Sequence, residues 1–378
     1  STLVTMAQFA RAVLPLGTTT IAEDPHEVAN VSGIEGIKVM IEAARQIPLK
    51  VEFLISSSVP SLYGMETAGA TIGPAEVTEL LAYPEVIGLA EVMDGASVME
   101  EAEPINGILE AAGGLYGYQP YTSRVIDGHN PMLRERRLSA FVAAGIDSDH
   151  TQAKPHELVE KARNGVCLML QERYIDRDVI AAVQNLPLDT GFCIITDDVA
   201  PDYMLKAGHM DQVMRRCIAL GMDPMLALRA STLNPARRMR LWERGLIAPG
   251  RAADIVLTES IEHFRARLTM VNGEIVAQDG ECLWEAPAHD VMAGMTNTVH
   301  LSTQMPADFS VQTPVTEGEV EINVIDCVPG QTLVTLGKGR VSIREGRVQF
   351  PAGDDLAFIA VVGRHESNSG RRVIGVVR

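Results

Sequence analysis

Residues 146–198 read IDSDHTQAKPHELVEKARNGVCLMLQERYIDRDVIAAVQNLPLDTGFCIITDD, and this stretch decides the fold. It alternates short strands with helices: IDSDH (146–150), then the helical KPHELVEKARNG (154–165), the apolar run VCLMLQE (166–172), the helical DVIAAVQNL (178–186) and the run FCIITDD (192–198). The runs are near-continuously apolar. That is the mark of strands buried on both faces in a parallel sheet, with helices as crossovers. Upstream the same alternation recurs. TTTIAED (18–24), LKVEFLISSSV (49–59), VIGLAEV (86–92) and RVIDGH (124–129) read as strands. TLVTMAQFARAVL (2–14), GIEGIKVMIEAARQ (33–46), PAEVTELLA (74–82), SVMEEAEPINGILEAAG (97–113) and LSAFVAAG (138–145) read as helices. Seven strands can be counted, and an eighth closes a (β/α)8 TIM-like barrel.

The chain of 378 residues is long enough for two or three domains at roughly 100–200 residues each. Apolar residues make up 46% and charged residues 21%, enough to bury a real core. Thirty-two Lys and Arg against 49 Asp and Glu give a net charge of −17, which opposes a phosphate backbone as partner. Nucleic acid is therefore not expected, while a free base or another small neutral molecule remains compatible. No apolar run is long enough for a membrane span, and the first residues read as a helix rather than a signal peptide. The five cysteines lack CxxC spacing, so reduced thiols and a cytoplasmic protein are expected. After residue 235 the pattern changes. PARRMRLWERGLIAPGRAADIVL (235–257) ends in a strand, and LTMVNGEIV (268–276) is a hairpin on Asn272-Gly273. VEINVIDCV (320–328), TLVTLGK (332–338), GRVSIREGRVQF (339–350) and LAFIAVVGR (356–364) read as short strands. The expected organisation is a barrel over 1–235, part of a small β-sandwich domain over 236–285, a linker over 286–302 and a β-rich, incomplete C-terminal domain over 303–378.

Ionisable and small polar side chains gather at the carboxyl ends of the strands: Asp24 and His26, Ser56 to Ser58, Glu91, Asp127 and His129, Asp149 and His150, Glu172, Asp197 and Asp198. A barrel sets all of them on one rim, where catalytic groups sit. His129 and His150 end consecutive strands, close enough to share one divalent ion. Glu91 ends an apolar strand, where a carboxylate needs a cation or a paired base. Asp197 is placed to take a proton from an activated water and return it to a leaving nitrogen. Asp198 either joins it or caps the next helix. Asp24, His26 and Glu27, in DPHEVAN, fit a ligand or supporting role, or a helix start with Asp24 as cap ahead of Pro25. Ser57 and its neighbours fit either substrate binding or a polar loop.

GTTTIAEDPHEVANVSGIEGI (17–37), VIGLAEVMD (86–94), DGHNP (127–131), AAGIDSDHT (143–151), ITDD (195–198), TLNPAR (232–237) and GLIAPGRAADIVL (245–257) occur in the order found in adenine deaminases of the amidohydrolase superfamily, which the chain resembles over nearly its whole length. The resemblance implies a (β/α)8 barrel with a two-metal centre of manganese or iron, zinc being compatible with the same N and O donors. It implies that Glu91 bridges the ions, that His129 and His150 bind one of them, and that Asp197 is both ligand and proton shuttle. The implied reaction is hydrolysis of adenine to hypoxanthine and ammonia, in a homo-oligomer. The family's first barrel strand carries a His-x-His pair, which the resemblance sets ahead of Ser1. Gln171 to Tyr174, Val199-Ala200 and the Asn130–Arg134 loop depart from the family pattern at the substrate mouth. They keep open a hydrolase of another aminopurine, amino-heterocycle or cyclic amide on the same centre. A barrel without a metal site, serving as a scaffold, is the non-enzymatic alternative.

Overall fold

The structure, a computed structural model, describes residues 3–119, 123–152, 154–186, 191–288, 290–328, 334–350, 353 and 355–378. The head of the expected helix at Thr2, and Thr332 and Leu333 of an expected strand, lie outside the described residues. The chain divides into two compact units, Ser1–Thr296 and Asn297–Arg378.

The first unit opens with α1 (Met6–Val13) and then alternates strand and helix: β1 (Thr20–Glu23), α2 (His26–Ala44), β2 (Lys50–Ser56), α3 (Pro74–Leu80), β3 (Val86–Val92), α4 (Gly95–Met99), α5 (Ile105–Ala111), β4 (Val125–Gly128), α6 (Glu135–Ala143), β5 (Ser148–Asp149), α7 (Pro155–Arg163), β6 (Cys167–Gln171), α8 (Arg177–Gln184) and β7 (Phe192–Ile195). Two parallel sheets hold these strands in chain order, β1-β2-β3-β4 and β5-β6-β7. β4 and β5 run side by side at the seam, where the Gly128 amide donates to Ser148 Oγ at 3.2 Å. This is the curled parallel sheet of a TIM-like barrel. Burial explains the apolar runs: β2 is buried at six of its seven positions and β4 at all four.

Gly88 is required by the approach of β4 to β3. It pairs with Val125, and a Cβ there would fall on the Val125 carbonyl oxygen. The close contact fixes Glu91, three residues on, against the end of β4. The helix expected over 97–113 is divided into α4 and α5. Pro104 has no amide hydrogen and its ring would clash one turn back in a continuous helix, and Glu101 turns left-handed at φ 51°.

Beyond β7 come α9 (Pro201–Ala207), α10 (Met210–Ala219), α11 (Pro224–Ser231) and α12 (Leu233–Arg238), then an antiparallel sheet of order β11-β10-β9-β8. Its strands are β8 (Ile255–Thr258), β9 (Ala266–Val271), β10 (Glu274–Gln278) and β11 (Glu281–Cys282). The β9–β10 hairpin turns on Asn272 (φ 50°) and Gly273 (φ 85°), the two positive angles a type I′ turn demands. Val271, Val276 and Ala277 share one core with Met6, Phe9 and Leu14, so this sheet belongs to the first unit.

The second unit is a sheet of order β14-β13-β12-β16-β15, made of β12 (Glu317–Cys327), β13 (Val334–Arg344), β14 (Arg347–Gln349), β15 (Ala357–Val362) and β16 (Arg372–Val377). The break expected at residues 338 and 339 is absent, and β13 runs unbroken past it. Gly339 pairs with Ile322, and its missing side chain leaves room for Val324. Among the described residues no helix is long and apolar enough to cross a membrane.

His209 ties α1 to α10. It is 7% exposed, its Nδ1 lies 3.2 Å from Thr18 Oγ1, and its ring meets Phe9 edge-on at 5.5 Å. Burial pushes the imidazole down to about 4 from its ordinary 6.5. The unfolded chain therefore binds a proton between these values that the folded chain refuses. The contribution to stability is present above about pH 6.5 and is lost as pH falls toward about 4. Thermal melts at pH 7 and pH 4 should show a smaller acid loss of Tm in His209→Gln than in the wild type; equal losses contradict this account.

Candidate metal centre

Strand ends build the centre. Glu91 is the penultimate residue of β3, His129 directly follows β4, and His150 directly follows β5. The parallel register sets these ends side by side, and the His129 amide donates to the Val92 carbonyl at 3.0 Å. Glu91 Oε2 lies 3.1 Å from His129 Nδ1 and 2.5 Å from His150 Nε2, and the two imidazole nitrogens are 3.1 Å apart. Glu91 also forms a second group with Asp24 and His26. Within each of the two triads the ligand atoms lie within 4.8 Å of one another.

Asp24 follows β1 and His26 opens α2. Asp24 Oδ2 is 3.2 Å from His26 Nδ1, so the carboxylate pairs with the imidazole and caps nothing; the N-cap of α2 is Pro25. The other Asp24 oxygen is buried without a hydrogen-bond partner. Glu27 Oε1 is 3.5 Å from His26 Nε2.

The charges at this rim are coupled. Burial alone would raise the Glu91 carboxyl, but hydrogen bonds from His129 and His150 outweigh it and hold the group well below the usual carboxylate range. Burial would lower His150, yet the Glu91 hydrogen bond and the charges of Glu91, Asp197 and Asp149 lift it to about 9. His26 likewise stands near 9 against its own burial, through Asp24 and Glu27. Imidazolium ions thus balance the carboxylates. A divalent cation supplies the same positive charge and leaves the imidazoles neutral, as ligands must be. The donors fit such an ion: they are N and O without thiolate. Ligand bonds of about 2.0–2.2 Å at right angles also give edges of about 3 Å, close to two of the three observed separations.

The other expected site residues are distributed around this core. Asp197, two residues beyond β7, adopts φ 58° and turns toward Arg173, whose Nη2 is 3.4 Å from Asp197 Oδ2. Its charge reaches His150, but its carboxyl stands outside both triads. The N-cap of α9 is Ala200, and burial with the neighbouring Asp197 raises the Asp198 carboxyl. Glu172 accepts from the Tyr203 hydroxyl at 3.0 Å. Ser57 and Ser58 are buried and spend their hydroxyls on one atom. Both donate to the Glu91 carbonyl oxygen, at 2.9 and 2.8 Å, so they hold the backbone of Glu91.

The Amidohydrolase family matches residues 139–276. The match assigns this segment to the amidohydrolase family. It is similar to adenine deaminase 2 of Rhizobium etli, 37% identical over 99% of this chain and 61% of that protein. It is similar to adenine deaminase of Moorella thermoacetica, 34% identical over 100% of this chain and 63% of that protein. The chain thus spans about three fifths of the length of these curated relatives. Among solved structures it resembles N-acetylglucosamine-6-phosphate deacetylase of Thermotoga maritima at a TM-score of 0.51 and 16% identity, covering 72% of this chain and 83% of that one, a likeness of fold. Amidohydrolases are metal-dependent, in keeping with the donor groups at this rim.

Two buried cations lay beyond the reading of strand ends. Arg238, on α12, donates to Asp127 Oδ1 at 2.6 Å and pairs with Asp147 Oδ1 at 2.8 Å, joining β4 to the start of β5. Lys161, on α7, pairs with Asp149 at 2.6 Å. A signal for Lys161 exists in the helix pattern, because it shares the apolar face of α7 with Leu158 and Ala162. Replacing Ser57 and Ser58 together by alanine should lower stability by about 1–3 kcal/mol, measured by urea unfolding, since two buried hydrogen bonds to one carbonyl are lost. An unchanged midpoint contradicts the holding role.

Proposed function

We propose that this amidohydrolase deaminates adenine by hydrolysis, giving hypoxanthine and ammonia. The observation that carries the reading is Glu91, one carboxylate shared by the His129–His150 pair and the Asp24–His26 pair. Identity of 34–37% to adenine deaminases along the whole chain supports the purine as substrate. Glu91, His129 and His150 would hold one divalent ion, and Glu91 with Asp24 and His26 is the group available to a second; manganese, iron or zinc suits these donors. Such ions, when bound, make water acidic enough to supply a nucleophile near neutral pH.

The protein's own groups do the rest. Asp197 receives the proton of the attacking water as the C6–O bond forms, and gives it to the amino nitrogen as the C6–N bond breaks. Its left-handed backbone turns the carboxyl out of the strand, and Arg173 holds that carboxyl at rest. His129 and His150 keep Glu91 ionised through their hydrogen bonds. A related amino-heterocycle is the second reading. It is favoured by the rim itself, where Arg173 engages Asp197 and Glu172 engages Tyr203.

Ammonia release from adenine by the intact, manganese-loaded protein tests the reading. Asp197→Asn is expected to retain its metal while turnover falls roughly 100-fold or more. A near-normal rate in that variant removes Asp197 from proton transfer. Release of ammonia from another heterocycle but not from adenine favours the second reading.

A further inference from the structure

Lys161 is 2% exposed and lies outside both triads. Its ammonium donates to Asp149 Oδ2 at 2.6 Å, to the Asn130 carbonyl at 3.3 Å and to Thr151 Oγ1 at 3.3 Å. Asp149 Oδ1 in turn accepts from the Asn130 amide at 2.9 Å and from Thr151 Oγ1 at 3.0 Å. These partners have one property in common. Asn130 directly follows His129, while Asp149 and Thr151 flank His150. One buried ion pair therefore grips the chain next to both imidazoles that meet Glu91.

Stability alone is a weak reason for such a pair. A buried ion pair is often no better than apolar residues of equal volume, and α7 offers an apolar face at this position. A geometric requirement is a better reason. Two imidazole nitrogens that face one ion must be held within about 0.5 Å of their productive places, by groups that are themselves locked. β5 is only two residues long, so its ladder alone gives the His150 end little support.

We infer that Lys161 is a positioning residue for the metal centre: through Asp149 and Asn130 it sets His150 and His129 at one fixed separation. The inference rests on the metal reading of the centre, and cobalt binding by the intact protein tests both. Titration of metal-free protein with cobalt, read by its visible spectrum, gives affinity and coordination together. Lys161→Met should weaken cobalt binding by roughly 10–100-fold, as loss of an outer support does, and should shift the bands. It should also lower Tm, because Asp149 is left buried and uncompensated. The double variant Lys161→Met/Asp149→Asn removes that stray charge. It should regain most of the lost Tm while its cobalt affinity remains weak.

Wild-type affinity and spectrum in either folded variant overturn the inference. So does cobalt affinity that returns together with Tm in the double variant, or a double variant that does not fold, since each assigns the pair to stability alone. His150→Ala separates the two levels. If cobalt binding by the otherwise normal protein is indifferent to that change, the metal reading falls and the role of Lys161 falls with it.

Discussion

One carboxylate between two imidazoles organises this molecule. Glu91 is buried to 17% side-chain exposure at the end of an apolar strand, a position that costs several kcal/mol for a charge without partners. His129 and His150 approach the same oxygen, and Asp24 and His26 form a second group with Glu91. The sheet is built to keep that oxygen where it is. Gly88 lets β4 close on β3, and the Ser57 and Ser58 hydroxyls hold the Glu91 carbonyl.

The support continues around the centre. Arg238 joins Asp127 to Asp147 at the seam between the two parallel sheets, and Ser148 Oγ donates to Asp127 Oδ1 at 2.8 Å. Tyr118 donates to Asp147 at 2.6 Å from the outer side. Lys161 and Asp149 then secure the loops that carry the histidines. The β4–β5 junction, where the hydrogen-bonded ladder is interrupted, is thus bridged by buried ionic contacts. Side chains there do what backbone pairing does elsewhere in the sheet.

Much of this was legible in the sequence, for reasons that differ by element. The parallel sheet was legible because strands buried on both faces must be apolar throughout, as β2 and β4 are. The triad of Glu91, His129 and His150 was legible because chain order along parallel strands maps directly onto neighbours at one rim. The Asn272-Gly273 turn was legible from backbone angles that few residues adopt. What escaped the sequence depends on partners distant in the chain. Arg238 meets Asp127 across 111 residues, and no local pattern marks either as paired. Ser57 fits either a substrate contact or a polar loop in the sequence, and its bond to the Glu91 carbonyl, 34 residues away, has no local mark. Gly339 read as a break because its real role, making room for Val324, belongs to the neighbouring strand.

As proposed, Glu91 would be a carboxylate shared by two divalent cations. Electron paramagnetic resonance of the intact protein loaded with two molar equivalents of manganese addresses that claim most directly. Two ions joined through one carboxylate are magnetically coupled, so the account predicts a broad, exchange-coupled spectrum that Glu91→Gln abolishes. The six-line spectrum of isolated manganese at the same loading, unchanged by Glu91→Gln, would contradict it.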